Sequence, residues 1–404
     1  MPLSLFDNKE EVSLLIDIGN GSVSGALVLF GNGAKPALLY SARLPLTVND
    51  KSDSAKLISS MTASLGEVLL SIMKKGLLVP YFKTKPKNVS AVLVSFSSPW
   101  FASRAKNLHL AQDTPFIITK KFLDSVVAAE EKAFEEDLQN GEYENLFDKN
   151  IQILENTIIH TKINGYPIEE CVGKKTKTLD TSLFMSVASK SIINIISDQI
   201  FKNTHIHKNK IYFHTFPLIS FSVIRDLFPA TSNFLVLDIT SETTDMTLVS
   251  DNAIAKVLSF PSGRNFIIRQ ISKSFGVSAE IAESYLHAYN SKKTDDETNL
   301  RIDSALSDVE KEWSIYFEDA FAELSKDSVL PPRAYITTDP DVASLYSHFL
   351  KLPKLDSTSL FRKSVEVIHI SAGILSAVYK DDPHFPPDEF VAMIAAFYNK
   401  ICTK

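Results

Sequence analysis

The sequence predicts an α/β protein in which two related domains face one ligand across a cleft. Three observations predict it. A phrase occurs twice, LLIDIGNGSVSGALV at 14–28 and LVLDITSETTDMTLV at 235–249. Each copy is an apolar strand ending in Asp-Ile, a small polar turn and a second apolar strand; Asp17 matches Asp238, Ile18 matches Ile239, Ser22 matches Thr243, and Leu27-Val28 matches Leu248-Val249. Strand-like and helix-like patterns alternate along the rest of the chain. Finally, 404 residues with 45% hydrophobic content can bury two or more cores.

The elements follow in order. Residues 12–30 read as two strands around the turn Gly19-Asn20-Gly21-Ser22, and 37–46 as a third. Helical spacing of Leu57, Met61, Leu65, Leu69 and Ile72 predicts a helix over 54–77. A basic link at 82–88 leads to a strand at 91–98, then a strand end and a helix N-capped by Thr119. Residues 139–150 are a polar loop, and 158–168 a strand with a turn at Asn164-Gly165. SLFMSVAS, a helix over about 190–201 and KIYFHTFPLIS give strand, helix, strand. After the second copy come a strand at 255–260 and helices over 265–326, broken by the charged run at 291–299. A strand at 333–339 runs into a turn and a helix from about Asp341; 369–380 reads as the last helix of the body, 381–390 as a linker and 388–402 as a tail helix.

Composition narrows the function. A net charge of −6 gives no basic field for nucleic acid. Cys171 and Cys402 stand far apart without metal spacing, which points to a reducing compartment and no disulfide framework. The first 13 residues have no apolar core of signal-peptide length, and no run of about 18 apolar residues occurs, so a cytoplasmic protein is expected.

The paired turns carry the chemistry. A turn of Gly, Ser and Thr between strands brings backbone N–H groups and hydroxyls against a phosphate, and a carboxylate beside it holds Mg²⁺ through water. The first copy offers Asp17, Gly19, Asn20, Gly21 and Ser22; the second offers Asp238, Thr240, Ser241, Thr243, Thr244 and Asp245. Either alone is an ordinary hairpin turn, but the pair in one relation to its strands is not. A P-loop fails for want of a Lys-Ser/Thr pair, and a Rossmann turn fails because Gly19–Gly25 leads into the apolar run ALVLF rather than a helix.

Two acidic strand–turn–strand motifs in separate halves resemble the two phosphate loops of the superfamily of actin, heat-shock chaperones and sugar kinases. The order of elements resembles most the branch of the bacterial division protein FtsA and the pilus protein PilM. In that branch a small α+β subdomain is inserted after the first loop and helix. Here residues 88–180 resemble it, with ITKKFLDSVVAAEEKA as its helix and IIHTKINGYPIEECVGKKTKTLDT as its return strands. The resemblance implies two actin-like (ribonuclease H-like) domains around a nucleotide cleft. The first would span 1–87 and 181–230 around the insert and the second 231–360, followed by a return helix at 361–380 and a linker with an amphipathic tail helix at 381–404. It also implies ATP and Mg²⁺ as cofactors. Asp17 and Asp238 would lie near the metal through water, the two turns near the phosphates, Gly263 at the nucleotide, Glu283 near the ribose, and Thr337-Thr338 near the adenosine.

The chain departs from that pattern at four places around one site. The second loop has Thr240 where Gly follows Asp-Ile, and a Cβ there crowds the approach to phosphate. Gly-Gly becomes Ser262-Gly263, the lysine of the ribose helix becomes Leu286 after Ala282-Glu283, and the adenosine turn Thr-Gly-Gly becomes Thr337-Thr338-Asp339. Two readings stay open: a degenerate site that binds ATP poorly, and a site whose Thr and Ser hydroxyls preserve binding.

Among the remaining features, His205 and His207 with Lys202, Lys208 and Lys210 read as a solvated loop. In the tail, Phe390, Ile394, Phe397 and Ile401 recur on one helical face, with Lys400 at its end. Such a face either packs on the body or docks on the inner membrane, as the resemblance to FtsA implies. The expected function is a membrane-proximal actin-like scaffold for division that self-associates, as a homo-oligomer or filament, and binds cytoplasmic tails of membrane proteins. A pilus-assembly scaffold, and a small-molecule kinase or ATPase on the same fold, are the alternatives. A heat-shock-type chaperone would need a β-domain after the second half.

Overall fold

The computed structural model describes residues 10–31, 33–46, 54–139, 150–326, 331, 333–351, 366–386 and 388–402. The first sheet is built from β1 (Glu11–Ile18), β2 (Ser22–Phe30), β3 (Ala37–Pro45), β4 (Val92–Phe96) and β9 (Ile211–Thr215), in the order β3-β2-β1-β4-β9. The second is built from β10 (Phe234–Ile239), β11 (Thr244–Ser250), β12 (Ala253–Phe260), β13 (Arg333–Thr338) and β14 (Glu366–His369), in the order β12-β11-β10-β13-β14. In each sheet the first three strands run antiparallel and the last two add in parallel. Even the β-bulges correspond, between Leu27 and Val28 in one sheet and between Leu248 and Val249 in the other. The repeated phrase is the central hairpin of two copies of one fold.

Period-two alternation sorts the side chains of both hairpins. Leu14, Ile16 and Ile18 face outward onto α1 (Ser54–Lys74) and α3 (Lys190–Thr204), while Leu15 faces the other sheet. Likewise Leu235, Leu237 and Ile239 face α5 (Arg264–Phe275), α6 (Ala279–Asn290), α7 (Asp296–Ser325) and α8 (Pro340–Phe349), and Val236 faces inward. Asp17 and Asp238 therefore share the inward faces. Helix α1 is apolar and long enough to cross a bilayer by composition, but Met61, Leu65, Val68, Leu69 and Ile72 are core residues.

Two helices fill the space between the sheets. One is α4 (Phe216–Leu227), whose residues Phe216 to Ile224 are all buried. KIYFHTFPLIS was expected to be one strand; it is a strand only to Thr215, and Pro217 sits in the first turn of α4, where its missing N–H costs nothing. The other is α10 (Glu389–Cys402), which follows β14 and the short α9 (Ala372–Leu375). The expected return helix at 361–380 is thus a strand and one helical turn; residues 361–365 lie outside those described.

The tail helix is α10, and it belongs to the core. Phe390, Ile394 and Phe397 are 5%, 0% and 5% exposed. Phe390 packs its ring on Phe216, and Lys400 pairs with Asp226 of α4 and donates to Ser222 Oγ. A face so placed inserts into a membrane only by leaving the core, so the anchor expectation for Phe390, Ile394, Phe397, Ile401 and Lys400 is replaced by inward packing.

The insert is a third sheet made of β5 (Ala102–Ile117), β6 (Ile151–Ile163), β7 (Tyr166–Pro167) and β8 (Lys175–Ser189), ordered β5-β8-β6-β7 and covered by α2 (Lys120–Gln139). Its limits are shifted from the expected 88–180: β4 belongs to the first sheet, so the insert starts later, and β8 continues to Ser189 before α3. The expected loop at 139–150 lies almost wholly outside the described residues, as do the first nine. Buried Glu155, at a bulge in β6, joins insert to body. It accepts the Thr215 N–H at 2.7 Å and the Thr215 hydroxyl at 2.9 Å, and Ser186 Oγ donates to it.

Candidate functional site: the paired turns

The two hairpin turns close alike. The Gly19 N–H donates to Ser22 O at 3.1 Å, and the Thr240 N–H donates to Thr243 O at 2.9 Å. Trp100 Nε1 holds the first turn from behind through Gly19 O at 2.8 Å. The N-terminus of α5 holds the second, with the Arg264 and Asn265 N–H groups donating to Thr240 O and Ser241 O. Gly263 is required there, because a Cβ would lie 2.2 Å from Thr240 O.

The turns touch each other. A Cβ on Gly21 would lie 2.0 Å from Ser241 Cβ. Asn20, 5% exposed, reaches across: its Nδ2 donates to Thr243 Oγ1 at 2.7 Å and to Ser98 O at 2.9 Å. Its Oδ1 accepts the Thr240 hydroxyl at 3.1 Å and the Glu242 N–H at 3.0 Å. A hydroxyl and a backbone N–H of a glycine-poor turn are the donors such a turn presents to a phosphate oxygen. Here a side-chain amide oxygen takes both.

A second set of bonds crosses beside the first. Arg43 of β3 pairs with Asp339 at 2.6 Å, donates from Nε to Ser22 Oγ at 3.0 Å and lies over the Phe390 ring at 5.9 Å. Arg264 pairs with Asp341 and Glu283. Glu283 and Asp339, expected beside ribose and adenosine, are thus engaged by guanidinium groups. Leu286, in the expected lysine position, is fully buried in the second core.

Carboxylates line the floor. Asp17, Asp238 and Asp245 are 6%, 3% and 1% exposed. Asp17 Oδ1, both oxygens of Asp238 and Asp245 Oδ1 find no hydrogen-bond partner among the described residues. Burial pushes the Asp17 carboxyl up to about 7, aided by the charge of Asp388 and opposed by the Arg43 guanidinium. Burial, and then Asp245, raise Asp238 well above the usual carboxylate range. Burial also raises Asp245, against hydrogen bonds from Ser259 and Ser98. Asp388 caps α10 through the Val391 N–H and accepts from Ser24 Oγ at 3.0 Å.

The expected residues divide accordingly. Asp17, Asn20, Gly21, Ser22, Asp238, Thr240, Ser241 and Thr243 meet at the junction of the two turns. Thr337 and Thr338 end β13 beside it, fully buried, with Thr338 Oγ1 unpartnered among the described residues. Thr244 does not join them: strand alternation turns it to the opposite face, where its hydroxyl donates to Ser262 O at 2.7 Å. Arg43, Ser98, Arg264 and Asp388 were missed; none lies in the repeated phrase, and each is brought in by a neighbouring strand, loop or helix end.

These residues do not fit ATP with Mg²⁺ spanning both turns. The tips are in van der Waals contact, Asn20 takes the Thr240 hydroxyl and the Glu242 N–H of the second turn, and the Arg43–Asp339 pair crosses the cleft. Among the described residues no group of three metal-type side chains gathers.

No protein-family model matches the chain, and no curated protein sequence matches it. Solved structures do. The structure described as a PilM-PilN type IV pilus biogenesis complex has a TM-score of 0.58 at 15% identity, over 96% of this chain and 98% of that one. The ethanolamine utilization protein EutJ from Carboxydothermus hydrogenoformans has a TM-score of 0.45 at 10% identity, over 97% and 91%. A Bacteroides thetaiotaomicron protein with an actin-like ATPase fold and unknown function also gives 0.45 at 10% identity, over 98% and 99%. With its duplicated sheets, paired acidic turns and inserted subdomain, the chain has the actin-like ATPase fold in divergent form.

Proposed function

We propose that the protein is a non-enzymatic actin-like scaffold of the pilus-assembly type, which binds a partner of the PilN kind beside the inner membrane. Its cleft is held closed by its own side chains instead of ATP. One observation carries the reading: the Asn20 amide fills the oxyanion position of the second turn and ties it to the first. The pilus type is supported by the likeness to the PilM-PilN complex along nearly the whole of both chains. The division type drew on the long insert and the tail helix, and the apolar face of that helix is committed to the core. A small-molecule kinase would need the cleft that the Arg43–Asp339 pair crosses.

The test is a calorimetric titration of the purified chain with the cytoplasmic segment of a PilN-type partner, with and without ATP and Mg²⁺. Equal affinity under both conditions is expected. A strict ATP requirement, or phosphoryl transfer to a small molecule, would overturn the proposal.

A further inference from the structure

One end of the inserted sheet carries charge and apolar surface that the fold does not use. Register sets Ile117, the end of β5, opposite Lys175, the start of β8. The β6–β7 turn lies beside them, since Thr176 Oγ1 donates to Asn164 Oδ1 at 3.0 Å. Segments 117–121, 164–167 and 172–177 therefore share one end of the sheet. Three large apolar side chains stand in solvent there: Ile117 at 58%, Tyr166 at 77% and Val172 at 49% exposed.

Around them lie Lys120, Lys121, Lys174, Lys175 and Lys177, all exposed. None makes an ion pair or a side-chain hydrogen bond among the described residues, whereas Lys106 and Lys162 of the same subdomain pair with Glu130 and Asp251. The acids at this end are Asp113, Asp124, Glu169 and Glu170, one fewer than the lysines. Lys120 and Lys121 also open α2, where the helix dipole disfavours cations, and the first turn holds no acid to offset them. Helix stability therefore does not account for these lysines. In a chain of net charge −6, this end carries a local excess of one positive charge.

We propose that this tip docks on an anionic lipid surface. The lysines would face the headgroups, and Tyr166, Ile117 and Val172 would enter the boundary between headgroups and acyl chains. A tyrosine with an apolar ring and a wet hydroxyl suits that boundary. Apolar side chains that project from a strand end, a turn and a loop suit a lipid surface better than an acidic peptide, which needs lysines alone. Each lysine near an anionic surface strengthens binding roughly fivefold. The inference stands apart from the identity of the pilus-type partner, which is tested with a soluble segment.

The experiment sediments the full chain with phosphatidylcholine vesicles, with vesicles also containing phosphatidylglycerol, and with soluble polyglutamate as competitor. Binding is expected only with phosphatidylglycerol, and should weaken as salt rises. Combined Lys174→Ala, Lys175→Ala and Lys177→Ala substitutions should weaken it roughly a hundredfold. Tyr166→Ser should weaken it severalfold while keeping the salt dependence. All four residues are exposed, so thermal melting should not change. Binding to both vesicle types alike, or binding unchanged in the triple variant, would overturn the proposal. Capture of polyglutamate without vesicle binding would also overturn it and assign the tip to an acidic protein partner.

Discussion

Asp17 shows how one residue can keep its place in a fold while its chemistry changes. Its strand position is set by alternation, and that position now puts a carboxyl among Asp238, Asp388 and Asp339 with Arg43 as the nearby cation. The folded state raises its pKa from 3.8 to about 7, so the fold binds the proton more tightly than the unfolded chain does. The stability this contributes is complete below about pH 4 and is lost as pH rises towards 7. Asp17→Asn keeps the neutral shape and removes the ionisation. Its urea midpoint should fall less than that of the parent between pH 4 and 7, with a residual slope from Glu389, also raised to about 7 by burial, and from Asp238 and Asp245, which burial raises too. Parallel pH profiles for the two proteins would sink this account. Asn20 was legible as a member of a turn. Its role was not, because all four of its hydrogen-bond partners lie in other segments, Ser98 and the second turn.

At the scale of elements, sequence period reports what a helix buries only when one face is wet. α1 shows a clean stripe and was legible from five apolar positions. α4 is buried from Phe216 to Ile224 and has no wet face in that stretch, so period could not separate it from the strand before it. α10 was legible as a helix, but its stripe is equally suited to a membrane and a core. The deciding information is the position of α10 after β14, which matches that of α4 after β9 and places both between the sheets. Ile394, fully buried on that helix, measures the difference. Ile394→Ala should cost about 2–5 kcal/mol in urea denaturation, and vesicle binding per folded molecule should not change. A variant of parental stability with weakened vesicle binding would return the helix to the membrane.

At the scale of the molecule, duplication explains why the cleft exists and why it can close without a ligand. Two sheets of one order, bulged at matching positions, bring two acidic turns face to face. In such a pair, phosphate is the natural bridge between opposed N–H groups and hydroxyls. Once Asn20 spans the turns and Arg43 meets Asp339, the bridge is intramolecular and needs no exchange of ligand. The duplication was legible because strands and acids repeat; the closure was not, because it rests on unlike residues, Asn20 against Thr243 and Gly21 against Ser241. The consequence appears in thermal stability. A ligand that binds only the folded state at a thousandfold excess over its Kd adds about 4 kcal/mol, enough to shift the melting temperature of a protein of this size by several degrees. Millimolar ATP with Mg²⁺ should leave the melting temperature of this chain where it is, within a degree or so. A shift of several degrees would mean that nucleotide reaches both turns and that the Asn20 bridge gives way to it.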